Sequence, residues 1–288
     1  MKNHFGNIEY LHGKANVRLP NSIFRDLSTA IKSNNGSTNI QQVAFAYVYL
    51  VTVSLLYKYA HFVDIDNDSY ISNADIKELL GYNRTTKSID KVIKKNGILD
   101  QLNLTKTTKN YPVRFEMHPN DRINNIPIRE FFTINDLSEN DVSYSELKRI
   151  VKNRNYEIKE PLFMTTENGD NDYGTLYSME RTHRIDIDEF LKFIFDDEMN
   201  NIDFLMYGFF KAKCKGYPED MKAIAVYKIT LELGIDRTTF FKHLELLKGK
   251  GYVEVNHKDW KMKDDNYKKM EANEYFWKGI DWYVFFIF

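Results

Sequence analysis

Apolar residues recur at helical spacing along much of the chain, and they predict a mainly helical protein. The first such pattern covers residues 22–32, where four apolar side chains share one helix face. Residues 40–57 follow without a single formal charge and predict a long helix. Because four polar residues interrupt this segment and Lys58 follows it directly, we expect a buried core helix and no membrane span.

Shorter elements follow in the first half of the chain. Residues 74–80 predict a helix that Gly81 ends. Residues 84–95 predict another helix, which stops at Asn96-Gly97 as a left-handed C-terminal cap would require. Residues 98–105 and 111–117 have extended patterns on either side of a polar tip, which predicts a β-hairpin.

The second half repeats this order of elements. Helices are predicted over residues 186–195, 202–214 and 237–248, with a further helix ending at Gly234 and strands at residues 223–226 and 252–255. Two heptapeptides, residues 80–86 (LGYNRTT) and 233–239 (LGIDRTT), agree at five of seven positions. Both lie between two predicted helices, follow a long apolar helix and lead through glycine into a strand. We infer an internal duplication.

Helix, tight turn, helix and hairpin is the order of a winged helix-turn-helix, whose second helix enters the major groove of DNA. The predicted fold class is therefore α+β, mainly helical, with two winged helix-turn-helix domains joined by a mixed middle segment. The predicted domains are an N-terminal winged helix at residues 1–124 and a C-terminal one at residues 182–288. Residues 125–181 connect them.

The solvent-facing positions of the two second helices, together with the two wings, are the predicted DNA contacts. Phe240, Leu244 and Leu247 should face the core in the second copy, as should Ile89, Val92 and Ile93 in the first. The candidate DNA-binding residues are Arg84, Thr85, Lys87, Lys91, Lys106 and Lys109 in the first copy, and Arg237, Thr238, Lys242, His243, Lys258 and Lys261 in the second.

Charge is segregated along a chain that is nearly neutral overall, with 40 Lys and Arg against 41 Asp and Glu. Residues 77–114 contain nine basic residues against three acidic ones, and residues 237–269 contain nine against five. Residues 186–203, in contrast, carry seven acidic residues and one lysine. Solvated helix faces also produce basic runs, but two runs in matching context favour double-stranded DNA as a partner.

The second copy resembles winged-helix DNA-binding domains of bacteria, in residues 237–244 (RTTFFKHL) and in the KGYV of residues 250–253 that leads into the wing. The order of VRLPNSIF (residues 17–24), a long helix, YISN (residues 70–73) and a helix-turn-helix is similar to plasmid and phage replication initiators of Gram-positive bacteria. The resemblance covers about 75 residues in each half. It implies DNA binding in plasmid replication, although transcription regulators use the same module.

The acidic segment of residues 64–75 resembles a calcium-binding EF-hand loop. Ser69 stands where such a loop needs glycine, and Asp75 stands where it needs glutamate. The alternative is an acidic turn that leads into a strand at Tyr70, with Ser72 capping the next helix. We favour this alternative and predict no metal site.

Signals for catalysis are absent, because the chain has no Gly-rich phosphate loop and no His-Glu-x-x-His motif. We therefore predict a protein that is not an enzyme and has no cofactor. The single cysteine, Cys214, indicates a reducing compartment, and no apolar signal core follows Met1, so we expect a cytoplasmic protein without membrane association.

The predicted function is sequence-specific binding of double-stranded DNA, most like that of a plasmid-type replication initiator. A transcription regulator with the same modules is the alternative, and a protein-interaction scaffold that does not bind DNA is the alternative of a different class. Replication or transcription machinery is the expected protein partner. The aromatic C-terminal end, residues 275–288, should pack in the second core or form a subunit contact that makes an oligomer.

Overall fold

The structure is a computed structural model that describes residues 2–123, 126–168, 171–176, 181–214, 221–258, 261–262, 268–269 and 272–279. Its helices are α1 (Lys2–His12), α2 (Ile23–Asn35), α3 (Ile40–Lys58), α4 (Asn73–Leu79), α5 (Asp90–Ile93), α6 (Ile98–Gln101), α7 (Val142–Ile150), α8 (Ile187–Phe195), α9 (Asn201–Cys214), α10 (Val226–Leu233) and α11 (Arg237–Gly249). Its strands are β1 (Asn16–Pro20), β2 (Val63–Asp64), β3 (Ser69–Tyr70), β4 (Thr105–Thr108), β5 (Pro112–Ile123), β6 (Ile126–Thr133), β7 (Ile158–Pro161), β8 (Thr165–Asn168), β9 (Asn171–Leu176), β10 (Thr182–Asp186), β11 (Lys222–Ala223), β12 (Val253–Asn256), β13 (Lys261–Met262), β14 (Lys268–Lys269) and β15 (Glu274–Trp277). The protein is thus α+β and mainly helical, as predicted.

The chain forms two compact units, each built from two separate stretches of sequence. Unit 1 contains Met1–Pro20 and Phe45–Glu198, and unit 2 contains Asn21–Ala44 and Met199–Phe288. These units do not follow the predicted boundaries at residues 124 and 182. Strand β1 pairs antiparallel with β10 inside unit 1, whereas α2 packs on α10 inside unit 2. Hydrogen bonding and packing between distant segments therefore divide the chain differently from the order of its elements.

The uncharged segment forms α3, which is a core helix. Among the described residues α3 alone is long and apolar enough to cross a membrane, and 89% of its most apolar window is buried. Two of its buried polar side chains have partners, since the Thr52 hydroxyl donates to the Val48 carbonyl and the Tyr47 hydroxyl lies 2.9 Å from His183 Nε2. Satisfied polar groups are what burial requires.

In unit 1 the strands form a four-stranded sheet of order β5-β6-β9-β8 and three two-stranded pairs, β1-β10, β2-β3 and β4-β7. The hairpin predicted between residues 98–105 and 111–117 is wrong. Strand β4 pairs with β7, about 50 residues later, and β5 pairs with β6. The segment that joins β4 to β7 contains β5, β6 and α7.

The helix predicted over residues 84–95 is also wrong, because only Asp90–Ile93 is helical. The Asn83 side chain accepts hydrogen bonds from the Thr85 N–H and hydroxyl, which closes a local turn. The Lys77 ammonium binds the Thr86 carbonyl and the Asp90 carboxylate. The Asp90 N–H donates to the Lys87 carbonyl at 3.1 Å and not to that of Thr86, and the helix begins only at Asp90.

Within the predicted cap Asn96-Gly97, Asn96 adopts the left-handed conformation with φ of 57°, whereas Gly97 does not, with φ of −75°. A Cβ atom at Gly97 would lie 2.7 Å from the carbonyl oxygens of Lys91 and Lys94, so glycine is needed for close packing. The following residues are helical as α6, and not extended as predicted. Asp100 organises this corner, since it accepts hydrogen bonds from the Asn96 N–H, the Thr105 hydroxyl and the Lys159 ammonium.

The acidic segment of residues 64–75 agrees with the alternative favoured over an EF-hand. Strands β2 and β3 form a short antiparallel hairpin. Ser72 caps α4 in a capping box with Asp75, whose carboxylate accepts from the Ser72 N–H at 2.8 Å. Arg84 also binds Asp75, so this carboxylate serves the helix end.

In unit 2, helices α2, α9, α10 and α11 lie with a three-stranded antiparallel sheet of order β11-β15-β12. Phe24 and Phe209 meet edge to face at 5.4 Å, and the Ser28 hydroxyl donates to the Glu232 carbonyl at 2.8 Å. The predicted helices of the second half are confirmed to within one residue at their ends. Tyr275 is buried in β15, and residues 280–288 of the aromatic C-terminus lie outside the described residues.

Candidate nucleic-acid interface

A tight turn places α11 directly after α10. Gly234 ends α10 with φ of 66°, the left-handed conformation that favours glycine. A Cβ atom here would lie 2.2 Å from Thr38 Cγ2, so the turn also requires the smallest residue for space. Asp236 then caps α11, because its carboxylate accepts from the Thr239 N–H at 2.9 Å and from the Thr239 hydroxyl at 2.6 Å.

One face of α11 packs into the core of unit 2. Phe240, Leu244 and Leu247 are buried on it, as predicted. His243 is buried beside them, and its Nδ1 lies 2.6 Å from Oδ1 of the fully buried Asp203 in α9. The prediction of His243 as a DNA contact is therefore wrong.

The spacing of residues along α11 is by itself sufficient to predict that His243 is buried. Residues 240, 243, 244 and 247 follow the i, i+3, i+4, i+7 pattern of one helix face. The Asp203 carboxylate also accepts from the Asn200 N–H at 2.8 Å, close to the start of α9. His243 thus connects the middle of α11 to the first turn of α9, and this contact fixes the position of α11 against α9.

The opposite face of α11 carries the predicted contacts of the second copy. Arg237, Thr238 and Lys242 are exposed, as predicted. The Arg237 guanidinium lies 5.5 Å from the centre of the Phe241 ring, which supports its stem near the helix start. Glu245 is exposed further along and binds Lys248 at 2.8 Å. The first half of this face is therefore basic, and the second half is balanced.

The strands after α11 supply fewer free charges than the sequence indicates. The Lys258 ammonium lies 2.7 Å from the Glu274 carboxylate, and this hydrogen bond lowers the pKa of Glu274 below its ordinary value. Lys278 binds Glu254 at 2.7 Å in the same sheet. Lys261 lies in β13, and its side chain is outside the described part of the chain.

A group of basic residues in unit 2 was missed by the sequence analysis. Arg25, Lys32 and Lys228 are exposed around an open cleft of about 970 Å³ that Asp236 also lines. Lys213 lines the same cleft and is paired with Glu232 at 2.6 Å. Two of the three exposed residues come from α2, which is about 200 residues away from α11 in sequence, so no local pattern indicates this cluster.

The predicted contacts of the first copy do not share one long helix face. Arg84 is exposed and paired with Asp75 and Glu78, the latter at 2.9 Å. Thr85 hydrogen-bonds to Asn83, and Lys87 is exposed in the segment before α5. These residues precede the helix that was expected to present them.

Three further residues of the first copy occupy three different environments. Lys91 lies half-buried in α5. Lys106 is exposed on β4, next to β7. Lys109 donates to the Arg154 carbonyl at 3.3 Å and to Asn155 at 3.4 Å. The structure therefore collects a basic helix face in unit 2, but disperses the predicted residues of unit 1.

Comparison with known proteins adds no family to this geometry: no family model, no curated protein and no solved structure matches the chain.

Proposed function

We propose that unit 2 is a winged helix-turn-helix that binds double-stranded DNA in a sequence-specific manner, with α11 in the major groove. The observation that carries this proposal is the basic solvent face at the start of α11, on a helix whose other face is held in the core. The order α10, turn, α11 and an antiparallel sheet supports the same module. With 13 residues, α11 is about 20 Å long and fits a groove about 12 Å wide.

The chemistry of the exposed residues gives each a distinct role in this proposal. Arg237 opens α11 and presents two N–H groups that suit the O6 and N7 acceptors of guanine. Thr238 beside it can donate to a phosphate or contact a thymine methyl group. Lys242, one turn later, suits a phosphate.

The basic cleft extends the surface beyond α11. Arg25, Lys32 and Lys228 carry positive charge at or near α2 and α10, away from the predicted base contacts. Phosphate contacts of this kind position a protein on the duplex and raise affinity for every sequence. We assign these three residues to the DNA backbone.

Selection of binding sites from a random duplex library, followed by fluorescence anisotropy on the winning duplex, tests the proposal. Arg237→Ala is expected to weaken specific binding by about 1–3 kcal/mol and to relax preference at one base pair. Lys228→Ala should weaken all sequences alike and reduce the salt slope by about one. Arg84→Ala is the matched control from the first copy, and we expect affinity within about twofold of wild type, since Arg84 is occupied by Asp75 and Glu78.

Two results would contradict the proposal. If the selection enriches no sequence, the protein is the interaction scaffold and does not read DNA. If a folded Arg237→Ala variant binds the selected duplex like wild type, α11 is not the reading helix.

The biological role that we propose for this binding is initiation of plasmid-type replication, in line with the resemblance in residues 17–24 and 70–73. Transcription regulation is the alternative. Mapping the selected sequence on the source replicon separates the two roles, because an initiator site lies in a replication origin and a regulator site lies at a promoter.

A further inference from the structure

Three side chains with metal-binding atoms converge in unit 1. His4 lies on α1, His61 follows α3, and Asp64 ends β2. Each offers one ligand atom, and these atoms all lie within 4.8 Å of one another. All three residues are buried, with 7%, 8% and 7% of their surface exposed.

Hydrogen bonding leaves one nitrogen of His4 available to a ligand. His4 Nε2 lies 2.5 Å from the His61 carbonyl oxygen, which can only accept, so this nitrogen carries the proton. His4 Nδ1 therefore presents a lone pair, and it lies 3.8 Å from Asp64 Oδ2. An imidazole whose second nitrogen donates to a carbonyl is the usual arrangement of a histidine metal ligand.

His61 supplies a second, independent observation. Its Nδ1 is buried and has no hydrogen-bond partner among the described residues. A buried polar atom without a partner is rare, because losing water without compensation costs about 1–3 kcal/mol. Burial also lowers the pKa of His61 to about 4 and lowers the pKa of His4, so both rings are neutral near pH 7. Neutral imidazole is the form that binds metal ions.

The carboxylate of Asp64 is held in place by its own neighbours. It accepts from the Asn67 N–H at 3.2 Å and from the Asn67 side chain at 2.9 Å, and the Asn7 amide lies at 3.4 Å. A cavity of about 490 Å³, lined among others by His4, Asn7 and Asp64, borders the cluster. It provides room for a water ligand and a path for an ion.

We propose that His4, His61 and Asp64 bind one divalent transition-metal ion, with water in a further position. Two imidazoles and one carboxylate form a donor set that suits Zn²⁺, whereas Ca²⁺ takes oxygen ligands. The ligand atoms already lie at separations that a small movement reduces to those of a tetrahedral site. The bound ion would join α1 to the residues around β2 and so stabilise the N-terminal helix.

Isothermal titration of the untagged full-length protein with ZnCl₂, after removal of metals by a chelator, tests this site. Wild type is expected to bind one equivalent in a saturable manner. His4→Gln keeps an amide N–H that can reach the His61 carbonyl but removes the ligand nitrogen, and Asp64→Asn keeps the shape but removes the charge. Each should weaken binding at least tenfold. Two matched controls should bind Zn²⁺ like wild type. His257→Gln changes an exposed histidine elsewhere in the chain, and Asp66→Asn changes an exposed acid in the loop that contains Asp64.

Two readouts on the wild-type protein keep the test decisive if a variant fails to fold. Zn²⁺ should raise the melting temperature, because an ion that binds only the folded state stabilises it, whereas millimolar Ca²⁺ should not. Co²⁺ should broaden amide NMR signals of residues in α1 and β2 first. The proposal is overturned if no saturable equivalent is found, if folded His4→Gln and Asp64→Asn variants bind like wild type, or if Co²⁺ broadens signals elsewhere.

Discussion

The two copies of the heptapeptide, residues 80–86 and 233–239, begin alike and end differently. Each starts where a helix stops at a left-handed glycine, with φ of 80° at Gly81 and 66° at Gly234. In unit 2 a helix of 13 residues follows at once. In unit 1 the next helix has four residues and begins nine residues after the glycine. Five identical residues out of seven therefore do not determine the element that follows them.

The difference comes from one side chain within the copy and one outside it. Asp236 reaches the N–H of the third residue after it, which caps a helix, whereas Asn83 reaches only the second and closes a turn. Lys77 then binds the Thr86 carbonyl, and the residue that corresponds to Lys77 in the second copy is Thr230. The Thr230 hydroxyl donates to the Tyr227 carbonyl in its own helix, so it makes no contact of the Lys77 kind with the segment after the glycine.

This comparison limits what basic composition can indicate. Lys77 was counted in the basic run of the first copy, but it is buried and paired with Asp90. The first copy has more net positive charge in sequence, and the second copy has the exposed helix. Exposed charges on one helix face are what DNA binding needs, and this difference is why we propose unit 2 as the DNA-reading unit.

The largest expected effect compares the contacts that hold α11 in unit 2 with those that hold α5 in unit 1. His243→Ala removes the side-chain partner of the fully buried Asp203, which keeps the Asn200 N–H, and should lower the free energy of unfolding of unit 2 by about 3–5 kcal/mol. The equivalent change in unit 1, Asp90→Ala, should cost less, about 1–3 kcal/mol, because the Asp90 side chain is 43% exposed and the buried Lys77 keeps the Thr86 carbonyl as a partner. Urea denaturation followed by circular dichroism measures both. Equal losses of the free energy of unfolding would show that α5 and α11 are held with equal strength, and would contradict the difference that we infer between the two copies.

A smaller effect is expected at the two glycines. Gly234→Ala combines a left-handed residue with a close approach to Thr38 and should cost about 2–4 kcal/mol. Gly81→Ala has the same backbone penalty in open space, so we expect about 1 kcal/mol. Thermal unfolding of the two variants beside wild type checks the difference. A Gly234→Ala variant as stable as Gly81→Ala would mean that the turn before α11 tolerates a side chain.

The smallest effect concerns pH, because Asp236 caps α11 with a group that titrates, whereas Asn83 at the same position of the first copy does not titrate. Hydrogen bonds from the Thr239 side chain and N–H hold the pKa of Asp236 below its ordinary value. The cap therefore stabilises the folded state above about pH 4, and this contribution is lost as the pH falls through the lower pKa of the folded state. Asp236→Asn keeps the cap but cannot titrate.

Melting temperatures of wild type and Asp236→Asn between pH 7 and pH 3 measure this effect. We expect wild type to lose about 2 °C more than Asp236→Asn over this range. Asn83→Ala should leave the pH dependence of wild type unchanged. Parallel curves for wild type and Asp236→Asn would show that the charge of Asp236 does not contribute to the cap.

The sequence was sufficient to predict those elements that are stabilised by residues within one or two helical turns of each other. The apolar spacing predicted α2, α3, α9 and α11 nearly at their observed bounds, and Ser72 was recognised as the cap of α4. The same spacing, applied to residue 243, predicts a buried side chain. Local periodicity is sufficient here because a helix satisfies its backbone internally and needs only one apolar face.

What the sequence by itself determined is therefore the mainly helical α+β class, the position of the second helix pair and the exposed residues at the start of α11. Only the tertiary structure decided that β1 pairs with β10, that α2 packs on α10, that Lys77 binds the Thr86 carbonyl, and that His4 meets His61 and Asp64. Each of these contacts joins residues or segments whose pairing cannot be predicted from the local sequence pattern. Their free energy depends on which distant group supplies the missing hydrogen bond, charge or apolar surface, and the fold alone brings that group into place.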